Sequence, residues 1–301
     1  MTDAKAIPGF DERFTEVRGS RMRYFVGGPE DGPPLILVHG LGGAAANWVD
    51  LAPLLAERRR VLVPELPGHG RSTALAAVPN VAVFADRVGL VAEREGMFPA
   101  AVVGHSLGGV VALRLALRRP GDVVALVLAA GAGISSTTRR AKYGLRILGI
   151  IGPRRLVAPW ADSVADSPFL RYLVFGRWGA SDPLILSRAA VDGFLEGTRL
   201  TTDSPSAARA LVVDDVRQEL GELCCPVMVL WGARDNQLPL ADGFDFARRL
   251  RADLRVIADC GHLLIGERPD LCADAIESFL GATGLTRPWV SRRKTRREGV
   301  G

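Results

Sequence analysis

At 301 residues, 48% of them apolar and with glycine and proline scattered rather than clustered, the chain can bury one large core or two modest ones and is not an extended disordered protein. Its net charge of +5 invites a nucleic-acid reading until it is located: from Arg287 onward six basic residues stand against one acid, so the rest of the chain is formally neutral. No apolar run reaches the roughly 18 residues of a membrane-spanning helix. The first residues carry acids and no apolar stretch, and the four cysteines lack the paired spacing of a zinc site. The expectation is a cytoplasmic protein with reduced, mostly buried thiols and no metal or organic cofactor.

In chain order, residues 13–28, "RFTEVRGSRMRYFVGG", alternate around a Gly-Ser turn and predict a β-hairpin. "PPLILVHG" (33–40) and "RRVLVPELPGHG" (59–70) are short continuous apolar runs, the pattern of strands buried on both faces. Between them "NWVDLAPLLAERRR" has helical spacing and a basic end. Residues 81–96 predict a helix closed by a C-cap glycine, Gly96. The strand "AAVVG", a helix from Leu107 to about Arg119 and the strand "VVALVLAA" (123–130) follow. After a long gap come the strand "CPVMVLWG" (225–232), the helix "ADGFDFARRLR", the strand "LRVIADCG" and the helix "PDLCADAIESFL". Such alternation predicts an α/β fold, a mostly parallel central sheet with helices on both faces.

The gap from Ile134 to about Gln218 is helix-leaning and irregular, too long for a connecting loop, and predicts an inserted helical lid. The expected organisation is a core of residues 1–133 and 219–286, a lid of 134–218 and a basic tail of 287–301. Within the lid, residues 139–155 hold six basic residues and no acid among Leu145, Ile147, Leu148, Ile150 and Ile151. The plain expectation is that this apolar face packs on the core with its charges in water. The sharper one is that it roofs a dry acyl pocket, helped by Trp160, Phe169 and Phe175. The tail suits a weak, salt-screened contact with anionic lipid or nucleic acid, with no specific nucleic-acid binding expected.

In "AAVVGHSLGG" the sequence changes from strand to helix at Ser106, with Gly104 and Gly108 two residues to either side. An N-cap serine beside a glycine turn would read this way, and so would a nucleophile on a turn too tight for bulk at the flanking positions. A nucleophilic serine needs a base and an orienting carboxylate. Of four histidines, His262 in "DCGHLLIGERPD" follows the last predicted strand and is the candidate base. His39 and His69 suit packing or hydrogen bonding, and His105 suits shaping the pocket. Asp235 in "LWGARDNQLP" follows a strand at the same sheet edge and is preferred to Asp259, read as still on its strand, and to Asp214 and Asp215 at the end of the lid. The Leu107 N–H at the start of a helix, and the Leu41 N–H in the glycine loop "HGLGG" after the strand "LILV", are the expected oxyanion donors. That loop lacks the G-x-G-x-x-G frame of a dinucleotide site.

Taken in order, "HGLGG", "ELPGHGRS", "GHSLGG", "WGARDNQLP" and "CGH" make residues 20–282 resemble the alpha/beta-hydrolase fold family, in its lid-bearing serine esterase-like branch. The resemblance implies an alpha/beta-hydrolase fold and a Ser106, Asp235, His262 triad in that chain order. Glu65 departs from the aspartate common in relatives, at a position outside the triad. Ser106 stands where epoxide hydrolases and haloalkane dehalogenases of this fold carry aspartate, which disfavours both. The expected activity is hydrolysis of a carboxylic ester, or related acyl compound, of a small, largely apolar substrate through an acyl-enzyme. The same machinery also suits a thioesterase, lactonase, C–C bond hydrolase or perhydrolase, and the alternative from another class is a ligand sensor with slow or single-turnover hydrolysis.

Overall fold

Arg18 and Gly19 take consecutive positive φ values of 46° and 75°, the combination that lets a two-residue turn follow the natural twist of paired strands. They join β1 (Phe10–Val17) to β2 (Ser20–Gly27), so the predicted hairpin begins at Phe10 rather than Arg13. The computed structural model describes residues 7–76, 80–135, 160–176 and 179–284. Six further strands, β3 (Pro34–Val38), β4 (Arg60–Pro64), β5 (Ala100–His105), β6 (Val123–Ala129), β7 (Val227–Gly232) and β8 (Asp253–Ile257), complete one sheet in the order β1-β2-β4-β3-β5-β6-β7-β8. β1 and β2 run antiparallel to their neighbours and every other pairing is parallel. Every residue of β3, β5 and β7 is buried, as continuous apolar runs require. β3 has β4 on one side and β5 on the other, so the chain winds in opposite directions from it and a crevice opens at the carboxyl ends of β3 and β5.

The connections supply α1 (Leu51–Ala56), α2 (Val81–Arg94) and α3 (Leu107–Arg118). α2 ends as its glycine predicts: Gly96, at φ 66°, donates its N–H to Glu93 O (3.1 Å), and Met97 donates to Ala92 O (2.9 Å). The helix expected over "NWVDLAPLLAERRR" is shorter, a 3-10 turn at Ala45–Trp48 followed by α1. Arg59 is buried and donates to the Glu277 carboxylate at 2.5 and 2.9 Å, and Arg60 opens β4. Likewise the predicted last strand stops at Ile257, where its ladder with β7 ends. Asp259 therefore lies in a turn, not on the strand, and pairs with Arg234 at 2.7 Å on the surface. The four cysteines are free; Cys260 and Cys272 are buried, Cys225 partly so, and Cys224 is exposed.

Between β6 and β7 the described residues form α4 (Ala161–Asp166), α5 (Pro168–Arg171) continuing into one wide turn at Tyr172–Gly176, α6 (Arg188–Leu200) and α7 (Ser204–Val213). The side chains of Ser167, Ser187 and Asp203 cap α5, α6 and α7 by accepting from N–H groups of the first turn. The basic stretch 139–155 and the tail from Arg287 lie outside the described residues. Of the aromatics expected to line a pocket, Phe175 is buried, packed edge-on to Phe194 with ring centroids 6.3 Å apart. Trp160 and Phe169 are 61% and 74% exposed. Arg171, on the same short helix as Phe169, makes the inward contacts instead, donating to the Ala165 and Leu186 carbonyls. α8 (Leu240–Leu250), α9 (Leu264–Glu267) and α10 (Pro269–Ala282) complete the chain's described helices. Among the described residues no helix is long and apolar enough to cross a membrane.

Several buried polar groups gather around Glu65 and the histidines His39 and His69. Glu65 accepts from Arg23 Nη1 (3.1 Å) and from the backbone N–H groups of Arg71 (2.7 Å) and Ala45 (3.3 Å). Burial, opposed by Arg23, pushes its carboxyl up to about 6. Burial pushes the His39 imidazole down to about 3, helped by His69, and His69 down to about 4.

Two outcomes follow from these groups. Glu65→Ala leaves the buried Arg23 with Glu12 as its remaining carboxylate (2.7 Å) and should lower stability by about 1–3 kcal/mol in urea unfolding at pH 7.5; a loss under about 0.5 kcal/mol would remove the cluster from the stabilising framework. The two imidazoles bind protons less tightly folded than unfolded, so their contribution is present above about pH 6.5 and lost as pH falls. Glu65 acts oppositely, but only between its ordinary value and about 6. The urea midpoint should therefore drop from pH 7 to pH 5, and His69→Asn should lose less over that interval than the wild type.

Candidate active site

The apolar strand β5 delivers the chain to a corner at Ser106, whose φ of 54° and ψ of −118° lie in a region that L residues rarely adopt. A corner of this kind costs about 1–3 kcal/mol and persists only when its surroundings fix it. They do so here. Ser106 N–H donates to Ala129 O (3.1 Å), and Ser106 O accepts from Gly109 (2.9 Å) and Ala132 (3.0 Å). A Cβ on Gly104 would stand 2.2 Å from Gly108 O, and one on Gly108 would stand 2.1 Å from Val38 O. Both glycines are therefore obligatory. Leu107 is the first residue of α3, so no carbonyl within the helix can accept its N–H.

The loop after β3 approaches from the neighbouring strand, and a Cβ on Gly40 would lie 3.1 Å from Ser106 Cβ. Leu41 follows in this loop. His39 fixes the loop's start: its Nε2 accepts from Leu66 N–H (3.0 Å), so its Nδ1 carries the proton and donates to Gly40 O (2.9 Å). Asn47 fixes its end, accepting from Ala44 N–H at 2.8 Å. α6 lies directly on this end. A Cβ on Gly193 would be 2.3 Å from Ala46 O and one on Gly197 2.8 Å from the Gly43 carbonyl carbon.

Asp235 and His262 leave the sheet from the carboxyl ends of β7 and β8 and meet. Asp235 Oδ1 accepts from the N–H groups of Gln237 (2.8 Å) and Leu238 (2.9 Å), and Oδ2 faces His262 Nδ1 at 2.8 Å. Both side chains are buried. The carboxylate places the proton on Nδ1 and leaves the Nε2 lone pair free to act as a base. The competing acids are engaged elsewhere: Asp214 with Arg114, Asp215 with Arg217, and Asp259 with Arg234.

His105, the residue before Ser106, donates from Nε2 to the His262 carbonyl (2.9 Å), and the two rings stand 5.0 Å apart. The structure thus sets the loop of Leu41 beside the Ser106 corner and pairs Asp235 with His262, with His105 linking the corner to the loop of His262. Sequence reasoning passed over Glu267, buried five positions after His262, whose carboxylate accepts from Gly261 N–H (3.0 Å) and from Ser181 N–H (2.7 Å). Its partners are backbone groups far apart in the chain, which leave no trace in residue types. Among the described residues no cluster of His, Cys, Asp or Glu is arranged to hold a metal ion.

The pattern that defines the alpha/beta hydrolase family matches residues 35–275. The magnesium-chelatase 30 kDa subunit of Rhodobacter capsulatus is 33% identical over 285 residues, covering 87% of this chain and 88% of that protein. The pimeloyl-acyl-carrier-protein methyl ester esterase of Aromatoleum aromaticum is 32% identical over 268 residues, covering 82% and 98%. In three dimensions, a hydrolase from Pseudomonas aeruginosa superposes with a TM-score of 0.74 at 24% identity, covering 90% of this chain and 98% of that one. Its sheet order, its strained serine corner and the extent of the sequence match lead to one conclusion: the chain belongs to the alpha/beta hydrolase family.

Proposed function

We propose that the protein is a serine hydrolase that cleaves a carboxylic ester, or a related acyl compound, of a small and largely apolar substrate. The observation that carries this reading is the buried Asp235–His262 pair at 2.8 Å, tied through His105 to the Ser106 corner. Ser106 Oγ attacks the carbonyl carbon while His262 Nε2 takes its proton, and Asp235 stabilises the imidazolium through Nδ1–H. The N–H groups of Leu41 and Leu107 receive the developing oxyanion. His262 then returns the proton to the departing alcohol, leaving Ser106 acylated, and a water activated by the same histidine releases the acid.

Ester chemistry is supported by the relative named for cleaving a methyl ester. In this reading residues 134–218 are a helical lid on a core of 1–133 and 219–286.

Ser106→Ala should lower ester turnover by about a thousandfold or more with the fold intact, and abolish labelling by a fluorophosphonate. Asp235→Asn should lower kcat by several orders of magnitude, because the amide favours the wrong tautomer of His262. Wild-type turnover in Ser106→Ala protein would overturn the assignment. A screen across esters of graded acyl length, thioesters and lactones ranks the substrate classes, and one equivalent of product followed by a stall would identify a ligand sensor instead of an enzyme.

A further inference from the structure

The segment between α5 and α6 returns across both loops that carry the candidate acid and base. Asn236, next to Asp235, donates from Nδ2 to Gly176 O at 3.1 Å. His262 and Leu263 both donate their backbone N–H to Gly179 O, at 2.5 and 3.2 Å. The backbones touch without intervening side chains: a Cβ on Gly261 would stand 2.3 Å from Gly179 O and 2.6 Å from Ser181 N. The base loop and the inserted segment are thus packed main chain to main chain.

One carboxylate closes this junction. Glu267 Oε1 accepts from Gly261, the residue before His262, at 3.0 Å. Its other oxygen accepts from Ser181 at 2.7 Å and Asp182 at 3.4 Å, both in the inserted segment. Glu267 is 3% exposed. Burial pushes its carboxyl above the ordinary range, a cost that a residue chosen for packing alone would not impose. Because each oxygen serves a different stretch of chain, only an acceptor with two equivalent oxygens on an arm of this length satisfies both.

We propose that Glu267 is a positioning residue, which by clamping Gly261 to Ser181 lets the inserted segment set the seat of the His262 imidazole. The proposal rests on the acyl-transfer reading of Ser106, Asp235 and His262. Glu267 touches no reacting atom and acts through the histidine's backbone.

The test uses the full chain, p-nitrophenyl butyrate as ester and a fluorophosphonate as probe of Ser106. Glu267→Gln keeps the shape but turns an amide N–H toward one of the two donors. It should lower kcat roughly tenfold to a hundredfold with KM changed less than about threefold, the signature of a misplaced base rather than lost binding. Ser106 labelling should slow to the same extent, and amide hydrogen exchange at residues 181–182 and 261–263 should quicken while the rest of the sheet keeps its protection. Glu267→Asp, whose shorter arm reaches one segment at a time, should show the same split and serves if the glutamine variant does not fold. Unchanged kcat and labelling in a folded variant would overturn the proposal, as would unchanged exchange at 261–263. A rise in KM alone, or activity recovered fully on cooling, would reduce Glu267 to a structural part. Turnover surviving Ser106→Ala would instead overturn the acyl-transfer reading, while the exchange data would still decide on the clamp.

Discussion

The contact on which the rest of this site depends is the approach of main chain to main chain at the end of β5. Gly104, Gly108 and Val38 O stand so close that a single added carbon would overlap a carbonyl oxygen. That closeness draws the helix α3 onto β3, brings the loop of Leu41 beside Ser106 and forces the serine into its strained conformation. Strain of this kind is held by tertiary packing, here the sheet on one side and the first turn of α3 on the other. The sheet order makes it possible, since β3 and β5 are adjacent and both deliver their carboxyl ends to the same crevice.

Much of this was legible in the residues themselves. Ser106 announced its corner by the two flanking glycines, which are needed for steric reasons visible in sequence. Continuous apolar runs gave the central strands because two-sided burial leaves no room for alternation, and Gly96 marked the end of α2 by the chemistry of left-handed caps. Less legible were features decided by a distant partner. Arg59 reads as part of a helix's basic end but is buried on Glu277, and Asp259 reads as part of a strand whose partner ladder has already ended at Ile257. Trp160 and Phe169 look like pocket residues by composition, yet both are largely exposed. Glu267 had no signal because the groups it holds are peptide N–H groups, present at nearly every position of any chain.

The helices between β6 and β7 are joined to the core through backbone as much as through side chains. α6 presents Gly193 and Gly197 to the peptide groups of residues 43–46, with Asn47 Nδ2 donating to Gly193 O at 3.4 Å. After α7, Asp214 and Glu219 hold Arg114 of α3 at distances of 2.5 and 2.6 Å. The inserted segment therefore grips the loop of Leu41, the helix behind Ser106 and the loop of His262 at once. A displacement of these helices would be felt at all three places, since close-packed peptide groups transmit movement with little slack.

The position of that segment in the chain also has a meaning in time. β6 pairs with β7 along a ladder from Leu126–Val227 to Ala129–Leu230, and the contact must close over everything that lies between them. Contacts so far apart in sequence form late, because the entropy of closing the loop is lost before the pairing rewards it. A chain emerging from the ribosome would carry the strands around Ser106 well before Asp235 and His262 exist. The strained corner is thus laid down first, and the Asp235–His262 pair can close only after the last strand has been made.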